Sequence, residues 1–214
     1  MDKPHEQAMI RILIVDDHPV VRAGLATLLR SQWDLQIEGG VDSAEDALAF
    51  LENKSVDVVL LDLRMPKTTG LEVLPQIVGQ AHSPRVLILS SFDYAEEIYR
   101  SAMAGASGYL MKSAPRAEIL KAIRTVASGG MHFPDGIANR ILERKGRPGL
   151  SPREQDILIM ISKGLTNKEI GHALLISQVT VRTHVNHILE KLQASDRTEA
   201  VAIAIQQGVI AIHT

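Results

Sequence analysis

Short, almost unbroken apolar runs alternate with helical patterns along the first 130 residues of this 214-residue chain, and this alternation limits the fold more than any other feature. Residues 10–15 (IRILIV), 36–41 (QIEGGV), 56–61 (VDVVLL), 85–89 (RVLIL) and 106–110 (ASGYL) read as strands. Between them, residues 20–29, 44–51, 70–78, 95–104 and 116–127 carry apolar side chains at helical spacing. A strand that is apolar on both faces has to be covered on both, which calls for helices on either side of a parallel sheet. The expectation is an α/β unit over residues 9–130 with a five-stranded doubly wound parallel sheet.

After Gly129-Gly130 the strand pattern stops. Residues 131–150 form a linker in this reading, with a short helix at 137–144 followed by the breaker-rich KGRPGL. From residue 151 onward the chain is helical, with helices at 152–162, 167–174, 178–192 and 197–206. That gives a second, smaller, all-α four-helix domain over residues 151–214.

Composition removes several kinds of chemistry. Cysteine is absent, so disulfides, thiolate nucleophiles and Cys-ligated metal sites are excluded. No run of eighteen apolar residues is present, and acidic residues come too early at the N-terminus for a signal peptide, so a cytoplasmic location without membrane contact is expected. Lys+Arg against Asp+Glu is 13 to 17 over residues 1–130, 4 to 2 over 131–150 and 6 to 6 over 151–214. With no strongly basic segment, binding to nucleic acid would have to rest on a local surface.

In an open parallel sheet, ligands bind beyond the carboxyl ends of the strands. Asp16 and Asp17 follow the first strand, Asp62 ends the third, Ser90 follows the fourth and Lys112 follows the fifth. Three carboxylates at one edge repel one another, and Mg²⁺ with its waters is the natural compensation. A lysine and a hydroxyl beside them suit a phosphoryl group. Taken singly, Asp16 or Asp17 could serve only to cap the helix that starts near Pro19. Convergence of five such groups at the strand ends argues for a site.

In the second domain, LTNKEIGHALLISQVTVRTHVNHILEKL pairs a short helix with a longer one across Ile176-Ser177, at helix-turn-helix spacing. Val181, Val185, Ile188 and Leu192 would pack inward, leaving Val179, Arg182, Thr183, Asn186 and Glu190 outside. Arg182 and Asn186 suit guanine and adenine edges in a major groove. Ser177, Thr180, Thr166, Asn167 and Lys168 suit phosphates. An ordinary amphipathic helix with a solvated face fits the pattern equally well.

Asp16-Asp17, Asp62 with Pro66 and Gly70 behind it, Ser90, and Tyr109 with Lys112 together resemble the receiver domain of bacterial two-component response regulators, a flavodoxin-like fold. LSPREQDILIMISKGLTNKEI and ISQVTVRTHVNHILEKL are similar to the LuxR-type DNA-binding domain, and DDHPVVRAGL is typical of receivers joined to it. The whole resembles a NarL/FixJ-class response regulator. The resemblance implies that Asp62 accepts a phosphoryl group from a sensor histidine kinase and that Asp16, Asp17, Asp62 and the backbone carbonyl of Arg64 hold Mg²⁺. It further implies that Lys112 pairs with the phosphoryl group, that Ser90 and Tyr109 form the switch, and that the phosphorylated protein binds promoter DNA as a homodimer. The last helix, with Ala200, Val201, Ile203, Ala204 and Ile205, offers an apolar surface for that dimer, or one that packs only on its own domain. Such a protein is not an enzyme in the usual sense, although it promotes its own phosphorylation and dephosphorylation.

Ser113 stands where many receivers have proline, Gly171 where alanine is common and Arg182 where lysine is common. A metal-dependent phosphatase with an aspartyl intermediate would need an acid two residues after the nucleophile, where Arg64 stands. An interaction module without phosphotransfer would not need the full acidic set. His172, His184, His187 and His213 are not spaced for a metal site and read as surface or phosphate-proximal residues.

Overall fold

A computed structural model describes residues 9–133, 149–206 and 209–210. The expected helix at 137–144 and the last four residues lie outside the described residues. The chain divides into two units, taken in turn.

The first unit runs β1 (Ile10–Val15), α1 (Pro19–Arg30), β2 (Leu35–Val41), α2 (Ala44–Asn53), β3 (Val58–Leu61), α3 (Gly70–Val78), β4 (Arg85–Ser90), α4 (Ala95–Met103), β5 (Gly108–Met111) and α5 (Arg116–Ala127). The sheet order is β2-β1-β3-β4-β5, and every pairing is parallel. All five expected strands are present, with shifted ends. β3 begins at Val58 rather than at residue 56 because Asp57 is used for an anchor: its carboxylate takes the Arg11 guanidinium at 2.8 and 3.1 Å and the Arg11 amide at 2.8 Å.

Alternate residues explain the continuous apolar runs. Ile12, Ile14, Val58, Leu60, Leu87, Leu89 and Leu110 pack on Leu29 of α1 and on Ile119, Leu120, Ile123 and Val126 of α5. Leu13, Val15, Val59, Leu61, Val86 and Ile88 point to the other face and are just as buried. With about 1.5–3 kcal/mol from each fully buried aliphatic side chain, this two-sided core is what fixes the strand ends that carry the polar residues.

The second unit holds α6 (Pro152–Ser162), α7 (Asn167–Ala173), α8 (Gln178–Leu192) and α9 (Arg197–Gln206). Ser151 with Glu154 and Thr166 with Glu169 form capping boxes that start α6 and α7, and Ser177 caps α8 through the Thr180 amide. Leu175, at φ 55°, turns the chain between α7 and α8. A Cβ on Gly171 would stand 2.8 Å from the Ile176 carbonyl, so glycine suits this tight turn where alanine is the commoner residue. Ile157, Leu158, Ile161, Ile170, Val181 and Ile188 form the core with Ala200 and Ala204 of α9; Val201 and Ile205 pack against it. The apolar surface expected on α9 is therefore used largely inside its own unit.

Candidate functional site

Backbone pairing sets the site at the carboxyl edge of the sheet, where the strand order reverses between β1 and β3. Val15 is in register with Leu61, and the Asp62 amide donates to the Val15 carbonyl at 2.8 Å, so Asp16 and Asp62 leave adjacent strands side by side. The Lys112 amide donates to the Ser90 carbonyl at 2.7 Å, which ties the end of β5 to that of β4. From there the Lys112 ammonium reaches Asp16 Oδ2 at 2.7 Å and Asp62 Oδ2 at 2.8 Å. Both aspartates are buried, at 2% and 3% exposure. The Lys112–Ser113 peptide is trans.

The remaining oxygens have distinct uses. Asp62 Oδ1 accepts from the Arg64 amide at 3.3 Å, and Asp16 Oδ1 from the His18 amide at 2.9 Å. Helix α1 begins after His18 with no side-chain cap, so neither Asp16 nor Asp17 serves as its N-cap. Asp17 Oδ1 is buried and accepts no hydrogen bond, although His18 Nδ1 approaches to 2.7 Å; the contact has the distance of a bond without its alignment. One ligand atom each from Asp16, Asp17, His18 and Asp62 fall within 4.8 Å of one another. Sequence reasoning did not include His18, whose only signal was its place between the aspartate pair and Pro19.

Burial pushes the Asp62 carboxyl above its usual pKa, with the Lys112 ammonium opposing and Asp16 adding to the rise. Burial acts to lower Lys112, but its hydrogen bonds to Asp16 and Asp62 outweigh that and the pKa stands raised. The site is thus a lysine cation held among carboxylates that are short of compensating charge. An uncapped, partly orphaned set of three carboxylates against one ammonium fits a small divalent cation with oxygen preference.

Gly70 explains the glycine behind Asp62. Its amide donates to the Leu63 carbonyl at 3.0 Å, and a Cβ there would meet the Asp62 carbonyl oxygen at 2.1 Å. Ser90 and Tyr109 both act on Phe92 in the loop after β4. Phe92 N–H donates to Ser90 Oγ at 3.1 Å, and the fully buried Tyr109 donates its hydroxyl to the Phe92 carbonyl at 2.7 Å. The Phe92 ring lies under the Arg64 guanidinium, 4.1 Å from ring centroid to Cζ. Phe92 therefore joins the loop after Asp62 to the Ser90–Tyr109 pair, a role no sequence pattern marked. Ser90 makes no hydrogen bond to Asp62.

On α8, Val179, Arg182, Thr183 and Asn186 are exposed together, as expected. Thr183 returns its hydroxyl to the Val179 carbonyl at 3.2 Å. Ser177 and Thr180 bond each other at 2.8 Å, and Thr166 bonds Glu169, so these hydroxyls have structural work as caps. Asn167 and Lys168 stand at the start of α7, Lys168 exposed. One buried acid was missed. Glu154, 3% exposed, accepts from the Ser151 amide and from Lys191 at 2.7 Å each; the Ser-x-x-Glu spacing in SPRE is a signal that could have found the first partner, and no sequence signal marks the second.

Comparison with known proteins agrees with this geometry. Residues 12–124 match the response regulator receiver domain, and residues 148–204 match the bacterial regulatory proteins of the luxR family. The transcriptional regulatory protein LiaR of Bacillus subtilis is 38% identical over 210 residues, covering 94% of this chain and all of that one. The response regulator protein VraR of Staphylococcus aureus is 35% identical over 206 residues, covering 94% of this chain and 99% of its own. The crystal structure of the response regulator ChrA, from a heme-sensing two-component system, is 36% identical, covers 95% of this chain and superposes with a TM-score of 0.54. The chain belongs to the response regulators of the NarL/LuxR class, phosphorylation-dependent transcription regulators that join a receiver domain to a helix-turn-helix domain.

Proposed function

We propose that Asp62 is the residue phosphorylated, that the donor is a sensor histidine kinase, and that the outcome is read out as promoter binding by α8. The observation that carries this reading is the Lys112 ammonium held between Asp16 and Asp62 at the carboxyl edge of the sheet. A carboxylate oxygen of Asp62 attacks phosphorus, the P–N bond of a phosphohistidine breaks, and its electron pair stays on the departing imidazole. Lys112 turns to the new phosphoryl oxygens and the Arg64 amide steadies the aspartyl side. Loss of the mark is hydrolysis: water attacks phosphorus and the P–O bond to Asp62 breaks, a step the same groups assist.

Asp16, Asp17, Asp62 and the Arg64 carbonyl would hold Mg²⁺, which supplies positive charge to the transferring oxygens. Ser90, released from the Phe92 amide, donates to the phosphoryl group, and Tyr109 carries the change to the loop through Phe92. Arg182, Thr183, Asn186 and Val179 meet base edges of double-stranded DNA, and Thr166, Asn167, Lys168, Ser177 and Thr180 lie toward its phosphates. The receiver spans residues 9–130, the linker 131–150 and the DNA-binding domain 151–214, and the protein acts in the cytoplasm as a homodimer when phosphorylated. No described helix is long and apolar enough to cross a membrane.

The test is sedimentation with Mg²⁺ and beryllofluoride for wild type and Asp62→Ala, followed by promoter binding of the same samples. Assembly and tighter DNA binding in wild type alone support the reading. Equal behaviour of both, with beryllofluoride shown to be bound by the wild type, overturns it.

A further inference from the structure

The recognition helix carries a pair of imidazoles that the proposed DNA contacts leave unused. His184 and His187 are three residues apart on α8, the first half-buried and the second exposed one turn on from Thr183, and both come near Glu154 in the first turn of α6. Read along the helix they lack a third donor. The fold supplies one from 30 residues upstream: one ligand atom each from Glu154, His184 and His187 lie within 4.8 Å of one another.

Glu154 is oriented for such a role. Its Oε2 is fixed by the Ser151 amide and the Lys191 ammonium, each at 2.7 Å. Its Oε1 is left facing His187, whose Nδ1 is 3.9 Å away, too far for a hydrogen bond. Among the described residues neither imidazole has a hydrogen-bond partner. A buried carboxylate anchored through one oxygen, with the other turned toward two imidazoles, has the arrangement in which outer partners orient a metal ligand.

We propose that Glu154, His184 and His187 form a binding site for a borderline divalent transition metal, Zn²⁺ first, that clasps α6 to the recognition helix. Two imidazoles and one carboxylate suit Zn²⁺, Ni²⁺ or Cu²⁺ and not the oxygen-seeking Mg²⁺ expected at the receiver. Ligand atoms around a tetrahedral ion stand roughly 3.3 Å apart, since each lies about 2.0–2.2 Å from the metal. The half-buried His184 and exposed His187 can close that gap by rotamer change, while Glu154 stays on its anchors. Solvent would complete the coordination.

The test is competition for Zn²⁺ between a chromophoric chelator and the full-length protein, in excess Mg²⁺ so that the receiver acids are occupied. One equivalent is expected to bind in wild type, and the double variant His184→Ala, His187→Ala to bind more weakly by about tenfold or more, as ligand loss requires. The double variant Asp16→Asn, Asp17→Asn is expected to bind like wild type. Co²⁺ loaded in place of Zn²⁺ should show visible absorption bands that disappear in the histidine variant. Unchanged Zn²⁺ affinity without the two histidines, absence of binding in wild type, or loss of binding in the aspartate variant would each overturn the proposal.

Discussion

The Tyr109 hydroxyl donates to the carbonyl of Phe92 at 2.7 Å, while the amide of the same Phe92 donates to Ser90. One loop residue is thus gripped by both proposed switch residues. Tyr109→Phe deletes one grip and is expected to cost about 0.5–1.5 kcal/mol of stability, the net worth of one hydrogen bond. Labelling of Asp62 by acetyl phosphate should persist, and the gain in promoter affinity on phosphorylation should shrink; the two are measured on the same sample by mass spectrometry and gel shift.

Lys112 is shared by Asp16 and Asp62. Lys112→Met leaves two buried carboxylates without their common cation and removes a charge from the transferring phosphoryl group. Phosphorylation by acetyl phosphate is expected to slow by about 10²-fold, the scale of losing one preorganised electrostatic contact. Lys112→Arg keeps the charge in a different geometry and should recover little of that rate.

The raised pKa of Asp62 makes stability depend on pH in a definite direction. Burial lifts the folded value above the ordinary 3.8, against the opposing effect of Lys112. The associated stability is complete below the unfolded value and is lost as pH rises through the folded one. In chelator-treated buffer near neutral pH, Asp62→Asn is expected to be more stable than wild type by about 0.5–2 kcal/mol. The advantage should fade as pH falls toward the carboxyl's own titration, which thermal melts across an acid-to-neutral series will show.

Gly70→Ala is expected to damage the acceptor loop from behind. The added Cβ would lie 2.1 Å from the Asp62 carbonyl oxygen and 2.8 Å from Leu63 Cα, backbone atoms that cannot rotate away. A cost at or above the usual 1–3 kcal/mol of overpacking, about as large as for a core insertion, should appear in urea unfolding. Asp62 labelling should fall in the protein that remains folded.

Arg182→Ala is expected to weaken specific promoter binding by about 1–3 kcal/mol and to relax preference at one base position. Lys168→Ala should weaken binding to all sequences alike and lower the slope of log affinity against log salt by about one. Fluorescence anisotropy with the promoter and a scrambled duplex, at several salt concentrations, separates the two.

What the sequence could show depended on how its signals travel. Asp16, Asp62 and Lys112 were legible because a parallel sheet brings the ends of its strands to one edge, so a residue's place after a run of Val and Leu gives its place in space. Gly70 was visible as a residue and acquired its reason only when the Asp62 carbonyl was found against it. Phe92 was invisible, since its ties to Arg64, Ser90 and Tyr109 cross elements and follow no period. Ser177, Thr180 and Thr166 were legible as polar groups near a helix start, but their hydroxyls bond within the caps. His184 and His187 read as surface or phosphate-proximal residues because their spacing marks no metal site, and their nearness to Glu154 joins two helices, which no spacing along the chain can show.

β3 has four residues, and all of them are buried. That length works as a ruler. One residue more would carry the carboxylate about 3.3 Å further along the strand direction and turn it to the opposite face; one fewer would draw it back among Val and Leu. The helices and the loop tips can drift while this measure stays put. Whatever reaches this edge of the sheet is therefore met at a fixed address, set by four buried side chains.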